Sequence, residues 1–133
     1  MFLPKPKTLF DARASDGASD PMFINEPGSL LLEICMVGFS GVLKFAGSLK
    51  ETIPDFSASA GITNPYDYIG VRDQQDKALI AGDTGITGSA TTDVRLVEVD
   101  VNALQWFGLK LSSYSAGSIT VKAIPFNRSN GMN

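Results

Sequence analysis

Fourteen carboxylates, eleven cationic side chains and one thiol are what this 133-residue chain can bring to chemistry, and it holds no histidine. Histidine titrates near neutral pH and is the commonest metal ligand, catalytic zinc included. Its absence removes the Ser-His-Asp triad and the usual zinc sites together. What remains is carboxylate chemistry. Asp67, Asp73, Asp76 and Asp83 fall in one loop-rich stretch, and oxygen clusters of this kind suit a hard cation such as calcium. The run Asp73-Gln74-Gln75-Asp76-Lys77 lacks EF-hand spacing, however, and polar turn residues produce the same pattern unaided. A glycosidase would need two carboxylates about 5 to 9.5 Å apart, and nothing in the chain selects a pair. Cys35 lies in the apolar run Leu32-Glu33-Ile34-Cys35-Met36-Val37, so the sequence predicts a core thiol with no activating base beside it. The loop Gly82-Asp83-Thr84-Gly85-Ile86-Thr87-Gly88 lacks the Gly-Lys-Ser/Thr ending of a phosphate-binding loop. The expectation is a non-enzymatic protein without metal or cofactor.

Aromatic rings offer binding instead of catalysis. Flat rings stack on the apolar faces of sugars, and Tyr66, Tyr68, Trp106 and Tyr114 are the candidates. Trp106 precedes an apolar strand, which favours burial with its indole N–H bonded to backbone. Tyr66 and Tyr68 alternate onto one face and suit either a sugar platform or a subunit interface, where tyrosine is enriched.

The elements that must position these residues are short strands. Thirteen glycines and seven prolines leave almost no stretch with helical composition and period. Residues 30–37 predict an apolar strand covered on both faces, and Gly38-Phe39-Ser40-Gly41 a turn into residues 42–47, with Leu43 and Phe45 inward and Lys44 outward. Residues 66–72 and 78–81 follow, then the glycine-rich loop 82–89. In residues 94–101, Val97, Val99 and Val101 oppose Glu98 and Asp100. Phe107, Leu109 and Leu111 are in phase, and Tyr114-Ser115-Ala116-Gly117-Ser118 predicts the turn of an antiparallel hairpin into residues 119–124. About seven to nine strands bury their apolar faces best as an all-β antiparallel sandwich, jelly-roll-like or Ig-like, with a small closed barrel as the runner-up.

Organisation follows from punctuation. Residues 1–28, broken by Pro4, Pro6, Gly17, Pro21, Pro27 and Gly28, predict an extended N-terminal arm; residues 29–125 form the sandwich and residues 126–133 a tail. Leu9-Phe10 and Met22-Phe23-Ile24 are the arm's apolar pieces, suited to edge strands on their own domain or to a neighbouring copy. The expected interface residues are Leu9, Phe10, Met22, Phe23, Tyr66, Tyr68 and Phe126. A net charge of −3 with dispersed cations argues against direct nucleic-acid binding. The longest apolar run, Leu30 to Phe39, covers about half of the ~20 residues a membrane helix needs. The first residues lack the basic start and apolar core of a secretory signal, so synthesis is expected in the cytoplasm.

Ser40-Gly41-Val42-Leu43-Lys44-Phe45-Ala46-Gly47-Ser48, together with the run from Val99 through Asn102, Leu104 and Trp106 to Tyr114-Ser115-Ala116-Gly117-Ser118-Ile119-Thr120-Val121, resembles small β-sandwich virion proteins of tailed bacteriophages. Phe56 stands near an aromatic position of that group, while Leu49-Lys50-Glu51 replaces its common Asp-Gly turn. The resemblance implies a virion structural protein, foremost a capsid decoration or cement protein. It would bind the major capsid protein and its own copies as a homo-oligomer, trimers included. The competing reading is a carbohydrate- or receptor-binding module of a phage tail or fibre.

Overall fold

The computed structural model describes residues 5–25 and 28–126, and among these the secondary structure is entirely β. Nine strands follow in order: β1 (Lys7–Arg13), β2 (Gly17–Ala18), β3 (Met22–Phe23), β4 (Ser29–Ser48), β5 (Asp67–Tyr68), β6 (Val71–Asp73), β7 (Leu79–Ile80), β8 (Ile86–Asp100) and β9 (Trp106–Phe126). All pairings are antiparallel within one hydrogen-bonded sheet, in the order β1-β9-β4-β8-β6-β7, as the alternating sequence pattern requires. No helix of the described residues is long and apolar enough to cross a membrane.

Three long strands carry the sheet. β4 pairs with β8 on one side and β9 on the other along almost its whole length. The stretches 38–41 and 114–118, expected as turns, are β-bulges inside β4 and β9. The expected hairpin between 106–111 and 119–124 does not form, because both segments run along β4: Phe107 lies opposite Gly47 and Val121 opposite Ile34. The reason is local backbone geometry. Gly38, Ala90, Ser113 and Gly117 adopt φ of 55°, 51°, 54° and 75°, so β4, β8 and β9 each contain left-handed residues near the same level. A left-handed residue inserts a bulge and bends a strand without reversing it. At Gly117 the neighbouring chain is so close that a Cβ would stand 2.2 Å from the Gly38 carbonyl oxygen, a space only glycine leaves open.

The bend also switches side-chain parity. Before it, Leu30, Leu32, Ile34 and Met36 of β4 are buried; after it, Phe39, Leu43 and Phe45 are. Both halves therefore feed one core, which includes Val97, Val99 and Val101 and then Phe107, Leu109, Leu111, Ile119 and Val121, all in the phases the sequence predicts. Among the described residues no helix is available to cover that core, so the bent sheet and its loops must cover it themselves. Of the expected glycine-rich loop 82–89, residues 86–89 are the first residues of β8.

Candidate functional site

Beyond the bend, the outer face of β4 and β9 is built from small and cationic residues in register. Lys44 lies directly opposite Lys110, and Ala46 opposite Gly108. Ala46 and Gly108 leave a shallow floor, and the ring of Phe56, from the loop after β4, fills it. A Cβ on Gly108 would stand 2.4 Å from that ring. Phe56 is 1% exposed and seeds an aromatic row, with Tyr66 edge-on at 5.1 Å between ring centroids and Tyr68 edge-on to Tyr66 at 6.1 Å. Edge-to-face packing matches the positive rim of one ring to the negative face of the next.

Both lysines are tied to this row. The Lys44 ammonium sits 4.9 Å from the Tyr68 ring centroid and the Lys110 ammonium 5.8 Å from that of Tyr66, within cation–π range. Lys110 Nζ also donates to the Tyr66 hydroxyl at 3.1 Å, and that hydroxyl donates to the Ala58 carbonyl at 2.6 Å. Partial burial pushes the Tyr68 phenol up from its ordinary value. For Lys110, burial works against the charge, but the Tyr66 and Tyr68 phenols outweigh it and the amine is held above its usual range. A neutral phenol beside a firmly protonated amine is a donor-rich surface at neutral pH.

Before the bend the outer face is different. Leu31, Glu33, Cys35 and Val37 of β4 point outward, opposite Glu98, Leu96 and Val94 of β8 and Ile124, Lys122, Thr120 and Ser118 of β9. Val37 is 62% exposed, Val94 57% and Leu96 43%. Two sequence expectations are corrected here. Among the described residues the strand 30–37 is covered on one face only, and Cys35 is a half-buried thiol on the other, because strand parity gives the inner face to its neighbours Ile34 and Met36. Desolvation and the adjacent Glu33 carboxylate push the Cys35 thiol up, away from reactivity.

The other expected residues are distributed. Phe10 is a core residue at 3% exposure, with Leu9 and Met22 packed against the core. β1, β2 and β3 all pair with β9 of the same chain, so of the two placements open for the arm's apolar pieces the structure has the edge-strand one. Phe23 remains half exposed and packs edge-on to Trp106 at 5.3 Å. Phe126 ends β9 opposite Ser29, and residues 127–133 of the expected tail lie outside the described residues. Trp106 is half-buried and its indole N–H donates to the Lys50 carbonyl at 2.9 Å, as expected. Tyr114 serves the bend, its hydroxyl donating to the Gly117 carbonyl at 2.6 Å. Only Tyr66 and Tyr68 of the four aromatic candidates therefore share a surface. The aspartates are engaged locally: Asp73 accepts from Gln75 N–H and pairs with Arg95, Asp76 accepts from Ala78 N–H, and Asp67 from Tyr68 N–H. Among the described residues no three potential ligands cluster to hold a metal.

No protein-family model and no curated protein sequence matches this chain. The fold does have a counterpart. The crystal structure of the SPBc2 prophage-derived protein YomS superposes with a TM-score of 0.60, covering 92% of this chain and 96% of that one at 18% identity. A likeness at that identity establishes a shared fold, spanning nearly the whole of both chains.

Lys44, Lys110, Val94 and Leu96 were not among the expected site residues. Period-two alternation already turns Lys44 outward; what the sequence lacks is the register that sets Lys110 beside it.

Proposed function

We propose that this chain is a structural protein of a bacteriophage particle, a decoration protein that binds the major capsid protein and its own copies. The observation that carries this reading is the open outer face of Leu31, Cys35, Val37, Val94 and Leu96. Contiguous apolar residues across neighbouring strands gain from being covered, and polar residues within such a patch set the orientation of whatever covers it. Glu33 and Lys122, opposite each other in the middle of the strip, are suited to that part. The fold shared with a prophage-derived protein supports a phage setting.

The test is to purify particles of the phage that encodes the chain and locate the protein by electron microscopy and quantitative mass spectrometry. The expected result is stoichiometric density on the shell. A Val94→Lys/Leu96→Lys variant, still folded by circular dichroism, should be lost from the particles. Absence of the protein from purified particles would sink the proposal.

A further inference from the structure

We propose that Lys44, Lys110, Tyr66 and Tyr68 form a binding site for an anionic sugar, one carrying a phosphate or carboxylate group. This rests on the geometry of the outer face beyond the bend and is independent of the particle role proposed above.

The first argument is electrostatic. Lys44 and Lys110 are a directly opposed cross-strand pair, which places their Cβ atoms roughly 4.5–5.5 Å apart, and like charges so placed oppose each other. Among the described residues neither ammonium lies within ion-pair distance of a carboxylate. Asp55 feels the charge of Lys110, but its carboxylate is committed to Ser57, whose backbone N–H it accepts at 2.9 Å. The partners the two lysines do have are ring faces and a hydroxyl, which orient a cation without neutralising it. In a chain with a net charge of −3, two such cations side by side are a local reversal of the overall field. An oxyanion between them would replace their repulsion with two charge-assisted hydrogen bonds.

The second argument is shape. The Tyr66 ring is braced on one side by Phe56 and fixed at its hydroxyl by Ala58, so the row of rings is already in place before a ligand arrives. Rigid aromatic groups beside a few polar donors are the usual composition of small-ligand sites. The C–H face of a sugar would rest on the tyrosines while its anionic substituent meets the lysines. Phenol hydroxyls and ammonium groups would bond its hydroxyls.

The experiment is an NMR titration of the full chain, at low salt, with glucose 6-phosphate, glucuronate, glucose and inorganic phosphate. Saturable shifts at residues 44, 66, 68 and 110 are expected with glucose 6-phosphate or glucuronate, and weaker ones with phosphate alone. Lys44→Gln and Lys110→Gln should each weaken binding about tenfold, a loss of about 1.4 kcal/mol, whereas Lys110→Arg retains most of it. Tyr68→Ala should remove the preference for the sugar over inorganic phosphate. The proposal is overturned if no anion shifts these residues at millimolar concentration, or if the Lys44→Gln/Lys110→Gln double variant, folded by its spectrum, binds like the parent. Equal affinity for inorganic phosphate and both anionic sugars would also overturn it.

Discussion

The same three strands present two unlike outer faces on either side of their bend. Beyond it, Ala46 and Gly108 make space that Phe56 of the loop after β4 fills, and Tyr66 and Tyr68, the latter in β5, extend the row. Before it, Leu31, Cys35, Val37, Val94 and Leu96 stand in that position, and among the described residues no loop covers them. Their inner faces do not differ in kind, since both feed one apolar core. The contrast teaches that the core explains the fold but not its surfaces. Side-chain size at two outward positions decides whether a face closes over itself or stays available.

Substitutions can break or sharpen this contrast. The largest effect is expected from Phe56→Ala, which empties the covered face and should cost about 3–5 kcal/mol in chemical denaturation, as for a fully buried core ring. Gly108→Ala inserts a methyl group into the contact with Phe56 and should cost about 1–3 kcal/mol, with altered NMR shifts along the aromatic row. A smaller effect is expected at the Asp73–Arg95 pair, whose members hold inward-facing positions of β6 and β8 opposite Val97 and Ile34. The Arg95 hydrogen bond holds the Asp73 carboxyl below its ordinary value, so its contribution is full above the unfolded carboxylate range, about pH 4, and declines as pH falls through the lower folded value. The thermal midpoint of Asp73→Asn should therefore depend less on pH below about 4 than that of the parent. The smallest effect belongs to Val37→Ala on the open face, expected within about 0.5 kcal/mol. A cost at Val37 comparable to that at Phe56 would mean that this face is already covered in solution, which sedimentation analysis would detect.

Much of the inner face was legible in the sequence. Val97, Val99 and Val101, Phe107, Leu109 and Leu111, and Leu43 with Phe45 all point where period two sends them. The connections were harder to read. Gly38 and Gly117 look like the punctuation of hairpins, and a bulge uses the same residue type for a smaller change of direction, so one sequence motif serves both geometries. That ambiguity also explains Cys35. A continuous apolar run suits a strand buried on both faces, and only the register with Val94 and Thr120 shows that one face is open. Tyr66 and Tyr68 were recognisable as a pair by their spacing. Their association with Lys44 and Lys110 depends on a cross-strand register that no local pattern encodes.

The central position of β4 has a kinetic consequence. Its partner β8 begins 38 residues after it ends, counting from Ser48 to Ile86, and β9 follows later still. β1, β2 and β3 also await β9, the last of these strands to be synthesised. Loop closure must therefore precede nearly every stabilising contact, a topology associated with folding in milliseconds to seconds. Until β9 docks, the edge of β4 lies bare to other nascent chains. Shortening β9 should accordingly reduce the yield of soluble protein more than an equal deletion from β1.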